Sequence, residues 1–318
     1  VRLLILSICL CVYLQSSTWG FFAHKEINYL ANFTLPIEMF GFYKQNIETI
    51  RDWAVKADQR RYAVEDEAPK HYIDLDHYEK SLPIDTLPKL WDSAVAKYGE
   101  DYLREYGIVP WHILSVKAWL TAAFRQKDYP KILKLSADLG HYVADAHVPL
   151  HATENYNGQL TGQEGIHGLW ESRLPEVFAS EYDFFTGKAQ YISNMQETVW
   201  AFVEASFAAK DSVLKIEKEL TLAMPTTKYA YESKGNTTVK VYSKEFSTAY
   251  HNALNQMVER RMKEAVHMVG CFWYTAWVDA GQPDLEYAIN QRIDLSSEID
   301  SLTNLMRNST IKGRMETH

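Results

Sequence analysis

Cysteine is nearly absent. The 318-residue chain has three, and two of them, Cys9 and Cys11, stand close to its start. Only Cys271 remains for the body of the protein, so an internal disulfide scaffold is excluded and reinforcement has to come from packing or from metal. Excess positive charge is missing too, with 33 Lys and Arg against 41 Asp and Glu and a formal net charge of −8. That excludes a protein that binds nucleic acid or anionic membranes through overall electrostatic attraction; any affinity for phosphate must be local. There is no internal repeat, no low-complexity tract and no linker rich in Pro, Gly or Ser, which points to one domain. A hydrophobic content of 47% supplies a sizeable core.

Arg2, the apolar run Leu3–Leu14 and then Gln15, Ser16, Ser17 and Thr18 follow the order of a secretory signal: positive end, apolar middle, small polar residues before the cut. The run is shorter than the roughly 20 residues that span a bilayer, and later apolar stretches are interrupted by charge, so no transmembrane span is expected. The expected organisation is a signal peptide over 1–18, one domain over 19–295 and a polar tail over 296–318, in a secreted or periplasmic protein. No stable protein partner is implied. Asn32, Asn236 and Asn308 begin Asn-x-Ser/Thr sequons, which matter only where exported proteins are glycosylated.

Strand-like alternation is scarce as well. Apolar residues recur at three and four, with Leu, Ala, Lys and Glu frequent, so the expected class is all-α, with helices near 22–33, 36–57, 110–126, 130–147, 167–173, 190–218, 245–280 and 284–306. One strand pair stands out, Lys228–Ser233 and Thr237–Ser243 around Lys234-Gly235-Asn236, predicting a small β-hairpin.

What the chain does have is a concentration of metal-type side chains between His141 and Glu171. His141 and Asp145, four apart, point from one face of a helix about a turn apart. Pro149 stops that helix, and His151 follows where the chain can fold back. After a loop holding Asn155, Asn157, Gly158, Gly162 and Gly165, His167 and Glu171 repeat the four-residue spacing. One such pair is ordinarily a hydrogen bond on a helix surface; two pairs with a further histidine point to metal. Imidazole and carboxylate are the ligands zinc takes when it does chemistry. Upstream, Asp58 ends an amphipathic helix and His71 opens His71-Tyr72-Ile73-Asp74, both unremarkable alone. His77, His112, His147, His251 and His267 have no partner at ligand spacing and read as structural.

Taken in order, Trp19-Gly20, His24, Ala57-Asp58, His71-Tyr72-Ile73-Asp74, His141-x3-Asp145-x5-His151 and His167-x3-Glu171 resemble the S1/P1 nuclease family and its relatives, the zinc-dependent phospholipases C. The resemblance implies a mostly helical fold with three zinc ions at the bottom of a cleft. Asp58, His71, His141 and Asp145 would hold the first, and His151, His167 and Glu171 the second. The third would take His24, a shared oxygen of Asp145, and Trp19 through its free α-amino nitrogen and carbonyl oxygen. The predicted signal cut falls where this third site needs a new N-terminus. The implied reaction is in-line hydrolysis of a phosphodiester by metal-activated hydroxide, with Asp58, Arg61 and Asp145 as catalytic residues and the Arg61 guanidinium beside the transition state.

The substrate divides the family. Tyr72 and Asp74 stand where nucleases stack a base and bond its edge, and Trp19 to His24 has the short nuclease spacing, which favours single-stranded nucleic acid. Glu171, where nucleases usually have Asp, and the short loop between His151 and His167 favour a phospholipid substrate. A third alternative is a non-catalytic secreted protein stabilised by zinc, recognising a partner through surface aromatics such as Trp170, Phe184 and Phe185. Its weakness is the ligand set, since closed structural zinc sites favour four saturating ligands, often Cys.

Overall fold

The computed structural model describes residues 20–235, 237–289, 293–296 and 298–299. The expected signal peptide, Trp19, the sequons at Asn236 and Asn308 and nearly all of the polar tail lie outside the described residues. Helices dominate, as expected: α1 (Phe21–Ala31), α2 (Ile37–Gln45), α3 (Ile47–Trp53), α4 (Lys56–Arg61), α5 (Trp91–Tyr98), α6 (Glu100–Glu105), α7 (Val109–Gln126), α8 (Tyr129–Asp145), α9 (Ile166–Gly168), α10 (Leu174–Phe178), α11 (Met195–Ala223), α12 (Lys244–Ala253), α13 (Met257–Asp279) and α14 (Glu286–Ile289). The one sheet among the described residues is the expected hairpin, β1 (Tyr229–Lys234) against β2 (Thr237–Tyr242), antiparallel with Tyr229 opposite Tyr242.

Helix α8 is the centre of the packing and the reason a site exists. It starts on Asp128, whose side chain accepts from the Lys131 amide at 3.3 Å. α1, α3, α7 and α13 all pack against it. Trp273 of α13 donates its indole N–H to the Ser136 carbonyl at 2.9 Å, while Tyr43 stacks on Trp273 and shares a 2.8 Å hydrogen bond with the Ser136 hydroxyl. From Ser136 onward α8 is buried on every side. Its polar side chains there, His141 and Asp145, are therefore out of reach of bulk water, and a buried charge persists only when paired or bound to metal.

Gly140 sets how closely α1 approaches. A Cβ there would stand 1.9 Å from the Asn28 side-chain oxygen, and Asn28 also donates to the Ala137 carbonyl at 3.1 Å. That close crossing brings His24 of α1 over His141, ring on ring at 4.0 Å.

Several expected boundaries need correction. The stretch 36–57 is three helices, broken at Asn46 and again at Ala54–Val55, and 245–280 is two, broken where Asn255 and Gln256 both take the left-handed conformation. Of the helix expected over 284–306, Glu286–Ile289 is helical, residues 293–295 are not, and Ser296, Glu298 and Ile299 are helical again. Two short helices, α5 and α6, were not anticipated. Asn32 is fully buried, with its side-chain N–H groups on the Asn28 and Tyr29 carbonyls, so its sequon is not an acceptor in the folded chain.

Candidate metal centre

Eight of the nine ligand-type residues lie among the described ones, and they come together in three buried groups: Asp58, His71 and His141; His24, His141 and Asp145; His151, His167 and Glu171. α1 supplies His24, α4 Asp58, α8 His141 and Asp145, and the turn after α8 supplies His151. His167 lies in α9 and Glu171 in the wide π-helical turn Leu169–Arg173 that follows, so the expected simple helix over 167–173 is corrected to two kinds of turn. Such turns recur at functional sites because they re-aim side chains. Here Trp170, fully buried, anchors the turn inside the protein, which corrects its expected place as a surface aromatic; Phe184 is half-buried and Phe185 is exposed.

Three of the five imidazoles are held by a bond on their outer nitrogen. His141 donates Nδ1–H to the Ala54 carbonyl at 2.7 Å, His151 to the His71 carbonyl at 2.9 Å, and His167 to the Tyr156 carbonyl at 3.1 Å. This leaves Nε2 of all three turned inward as a lone-pair donor, the arrangement in which histidine binds metal. His71 is reversed: Nδ1 faces Asp145 at 2.9 Å while Nε2 points back to Glu67, 3.9 Å from its Oε1.

The donor spacing fits zinc. Four donors placed tetrahedrally at about 2.0–2.1 Å from zinc stand about 3.3 Å from one another. Around the first group, His71 Nδ1, His141 Nε2 and Asp145 Oδ2 are 2.9 to 3.1 Å apart, and Asp58 Oδ1 lies 3.8 and 3.6 Å from the two imidazole nitrogens. In the second group His151 Nε2, His167 Nε2 and Glu171 Oε2 are 3.0 to 3.4 Å apart. The other oxygen of Asp145, Oδ1, is 3.4 Å from His24 Nε2. One carboxylate thus faces two groups with different oxygens. Gly20, which follows Trp19, donates its amide to Ser172 at 3.2 Å, beside Glu171, so this segment is tethered near the centre.

The electrostatics of the metal-free pocket follow from these distances. Burial by itself raises the pKa of Asp145, but His141 and His151 outweigh it and hold the carboxylate well below its ordinary value. Asp58 behaves alike, with burial opposed by His141 and His71. Burial lowers His141, yet Asp145 and Asp58 together push it up to about 9. His71 goes down, because burial exceeds the help of Asp145. The facing pair therefore holds one proton, on His141, which metal must displace. Arg61 is buried with Nη1 3.9 Å from Asp58 Oδ1, so a fixed cation borders the first group.

Tyr72 is only 5% exposed and donates its hydroxyl to the Glu105 carbonyl at 3.2 Å; Asp74 is buried with its amide on the Tyr106 carbonyl at 2.7 Å. Neither belongs to the three groups. His147 donates to the Val143 carbonyl and stacks on Phe202.

Glu67 was missed, although Glu67-x3-His71 repeats the spacing of the two recognised pairs. It accepts from Arg60, Lys70 and the Tyr142 hydroxyl; burial opposes its charge, but Arg60, His71 and Lys70 keep it ionised far down the pH scale. It stands behind the His71 ring, 3.9 Å from Nε2, where its charge acts on the imidazole without a hydrogen bond. Glu67→Gln is expected to weaken zinc binding at the first group about tenfold, the low end for an outer partner of a metal-bound histidine. Zinc titration against a competing chelator measures it, and an unchanged affinity would exclude that role. Asn157 was missed as well. Its side-chain oxygen accepts from the amides of Gly165, at left-handed φ +94°, and His167, fixing the start of α9.

No family model matches the chain. It is 24% identical to nuclease S1 of Aspergillus oryzae over 189 residues, covering 54% of this chain and 59% of that protein. A solved structure of Clostridium perfringens alpha-toxin is similar at a TM-score of 0.47 and 13% identity, over 85% of this chain and 65% of that one. The chain thus spans less than two thirds of the length of either relative. The sequence match to nuclease S1 and the three buried groups of zinc-type ligands support placing the chain with the S1/P1 nuclease–phospholipase C superfamily.

Proposed function

We propose that the protein is a zinc-dependent phosphodiesterase of the S1/P1 nuclease type that cleaves single-stranded nucleic acid and works outside the cytoplasm. The observation that supports it most is the convergence of five imidazoles and three carboxylates at zinc-compatible spacing on one buried aspartate. The nuclease S1 match favours nucleic acid over lipid. Glu171 remains the residue that favours a phospholipid headgroup instead. The extracytoplasmic location rests on the signal-like order of Val1–Thr18; among the described residues no helix is long and apolar enough to cross a membrane.

In this reading Asp58, His71, His141 and Asp145 hold one zinc, His151, His167 and Glu171 a second, and His24, Asp145 and the Trp19 terminus a third. Zinc there supplies Lewis-acid stabilisation of phosphoryl oxygens and a bound water whose pKa is lowered towards about 7. The chain's own part is to fix and charge-match. Outward hydrogen bonds lock His141, His151 and His167, and burial keeps competing water away. Asp58 holds the Arg61 guanidinium at the edge of the first group, where a planar cation binds the equatorial oxygens of a five-coordinate phosphorus in bidentate fashion. The resemblance would give the base to Tyr72 and Asp74, and with both buried here a base could stack only after they become exposed.

The test is parallel hydrolysis of single-stranded DNA and phosphatidylcholine by protein beginning at Trp19. DNA cleavage without lipid turnover is the expected result. Lipid turnover with intact DNA would replace the nuclease by a phospholipase C.

A further inference from the structure

A cavity of about 700 Å3 lies behind the metal centre and is lined by none of the eight ligand-type residues. Its inner side is the group that backs His71: Arg60, Glu67 and Tyr142. In size it suits a small molecule, since ligand sites run to about 300–1,000 Å3.

Its walls are aromatic. Trp91 and Trp111 meet edge to face at 5.5 Å, and Trp111 is fixed by donating its indole N–H to the Lys89 carbonyl at 2.9 Å. Trp119 differs from both. It is 53% exposed, with its ring 5.9 Å from His112, so a large aromatic surface stands open beside a ready cavity. Burial, and after it the charge of Lys70, pushes His112 down to about 3. It is therefore a neutral ring, able to donate with one nitrogen and accept with the other.

The charge is equally uneven. Five cations, Arg60, Lys70, Lys89, Arg104 and Lys134, line the cavity against three carboxylates, Glu67, Glu100 and Asp138, in a protein that is negative as a whole. Arg60 is committed to Asp138 and Glu67, and Lys70 to Glu67. Lys89, Arg104 and Lys134 keep roughly a third of their side chains exposed, in pairs with Glu204, Glu100 and Asp138. Exposed pairs of this kind are weak, and a phosphate dianion competes for such cations with charge-assisted bonds.

We propose that this cavity is a second, metal-independent binding site for a nucleoside monophosphate, with the base against Trp119 and His112 and the phosphate among Lys89, Arg104 and Lys134. Aromatic wall, neutral hydrogen-bonding ring and partly exposed cations together match a ligand that is aromatic at one end and anionic at the other. The inference stands on side chains outside the metal centre and does not require the chain to be a nuclease. If it is one, the ligand has the chemistry of the product.

The experiment is calorimetric titration of the zinc-loaded full chain with deoxyadenosine 5′-monophosphate, in the native protein and in Trp119→Ala, Trp119→Phe and Lys134→Ala. The native chain should bind one equivalent at the cavity and, under the proposed function, a second at the metal centre. Trp119→Ala should weaken one of them about tenfold or more, the loss expected for one stacked base. Trp119→Phe should restore most of it, Lys134→Ala should weaken the same equivalent, and phosphodiester hydrolysis should be unchanged in all three. Equivalents that the variants leave unaltered, whether the native chain binds one or two, would overturn the proposal. So would inorganic phosphate binding there as tightly as the nucleotide, which would leave only an anion site. Should the native chain fail to cleave DNA while Trp119→Ala still loses its equivalent, the cavity stands and the nuclease reading falls.

Discussion

Replacing Asp145 by alanine is expected to cost the protein two metal ions at once and more than about 100-fold in hydrolysis, beyond the 10–100-fold that loss of an outer partner costs. The reason lies in where its two oxygens point. Oδ2 is 2.9 Å from His71 and 3.1 Å from His141, while Oδ1 is 3.4 Å from His24. Each oxygen completes a different group, and Asp145 is the carboxylate grouped with His24 among the described residues. The substitution also leaves His141 with only Asp58 to balance it inside the protein, so the residual site binds zinc with one anion fewer. Metal analysis of the purified variant reads the result directly. About one zinc per chain, held by His151, His167 and Glu171, is the expected content. A full complement would refute the shared role of Asp145.

Zinc uptake by the first group should depend on pH through His141. In the metal-free chain its pKa lies at about 9, while His71 is lowered and Asp58 and Asp145 stay ionised below the ordinary carboxylate range. Across neutral pH, then, one proton sits on His141 and has to leave when metal enters. Below about pH 9 the apparent zinc affinity of this group should fall about tenfold per pH unit, with one proton released per ion from His141. The same shift has a consequence for the metal-free fold. Because the folded pKa is raised, its contribution to stability is fully present below the unfolded value of about 6.5 and is lost as pH rises through about 9. The metal-free protein should therefore melt at a lower temperature at pH 9.5 than at pH 6.5, and zinc should add more stability at the higher pH. Zinc titrations at several pH values, with thermal melts of chelated protein, check both; an affinity independent of pH between 6 and 9 would contradict the proton on His141.

Much of this centre was legible in the sequence, for reasons that differ residue by residue. His141 and Asp145, and His167 and Glu171, announce themselves because a helical turn converts a spacing of four into proximity. His24 and Asp58 carry no such signal; they are isolated in sequence, and only a family resemblance connects them before the chain is folded. Glu67 did carry the signal, but its partner His71 lies at the end of a short 3-10 turn, Ala68–Lys70, that periodicity does not reveal. The hairpin was readable from Gly235 between two β-type runs. The breaks at Asn46 and at Asn255–Gln256 were not, since no Gly or Pro marks them and the conformation is set by tertiary packing. Trp170 shows the converse failure. An aromatic beside a predicted site reads as a recognition surface, whereas here the turn that aims Glu171 needs a large buried anchor. The cavity around Trp119 has no sequence signature at all, because its walls come from segments far apart in the chain.

The central claim is that the three buried groups hold zinc, and anomalous diffraction at the zinc edge from crystals of protein beginning at Trp19 tests it most directly. The account predicts three peaks: one among Asp58, His71, His141 and Asp145, one among His151, His167 and Glu171, and one between His24 and the free terminus of Trp19. A well-ordered crystal with the eight side chains packed as described and no anomalous peak among them, from protein purified without chelator in the presence of zinc, would contradict it.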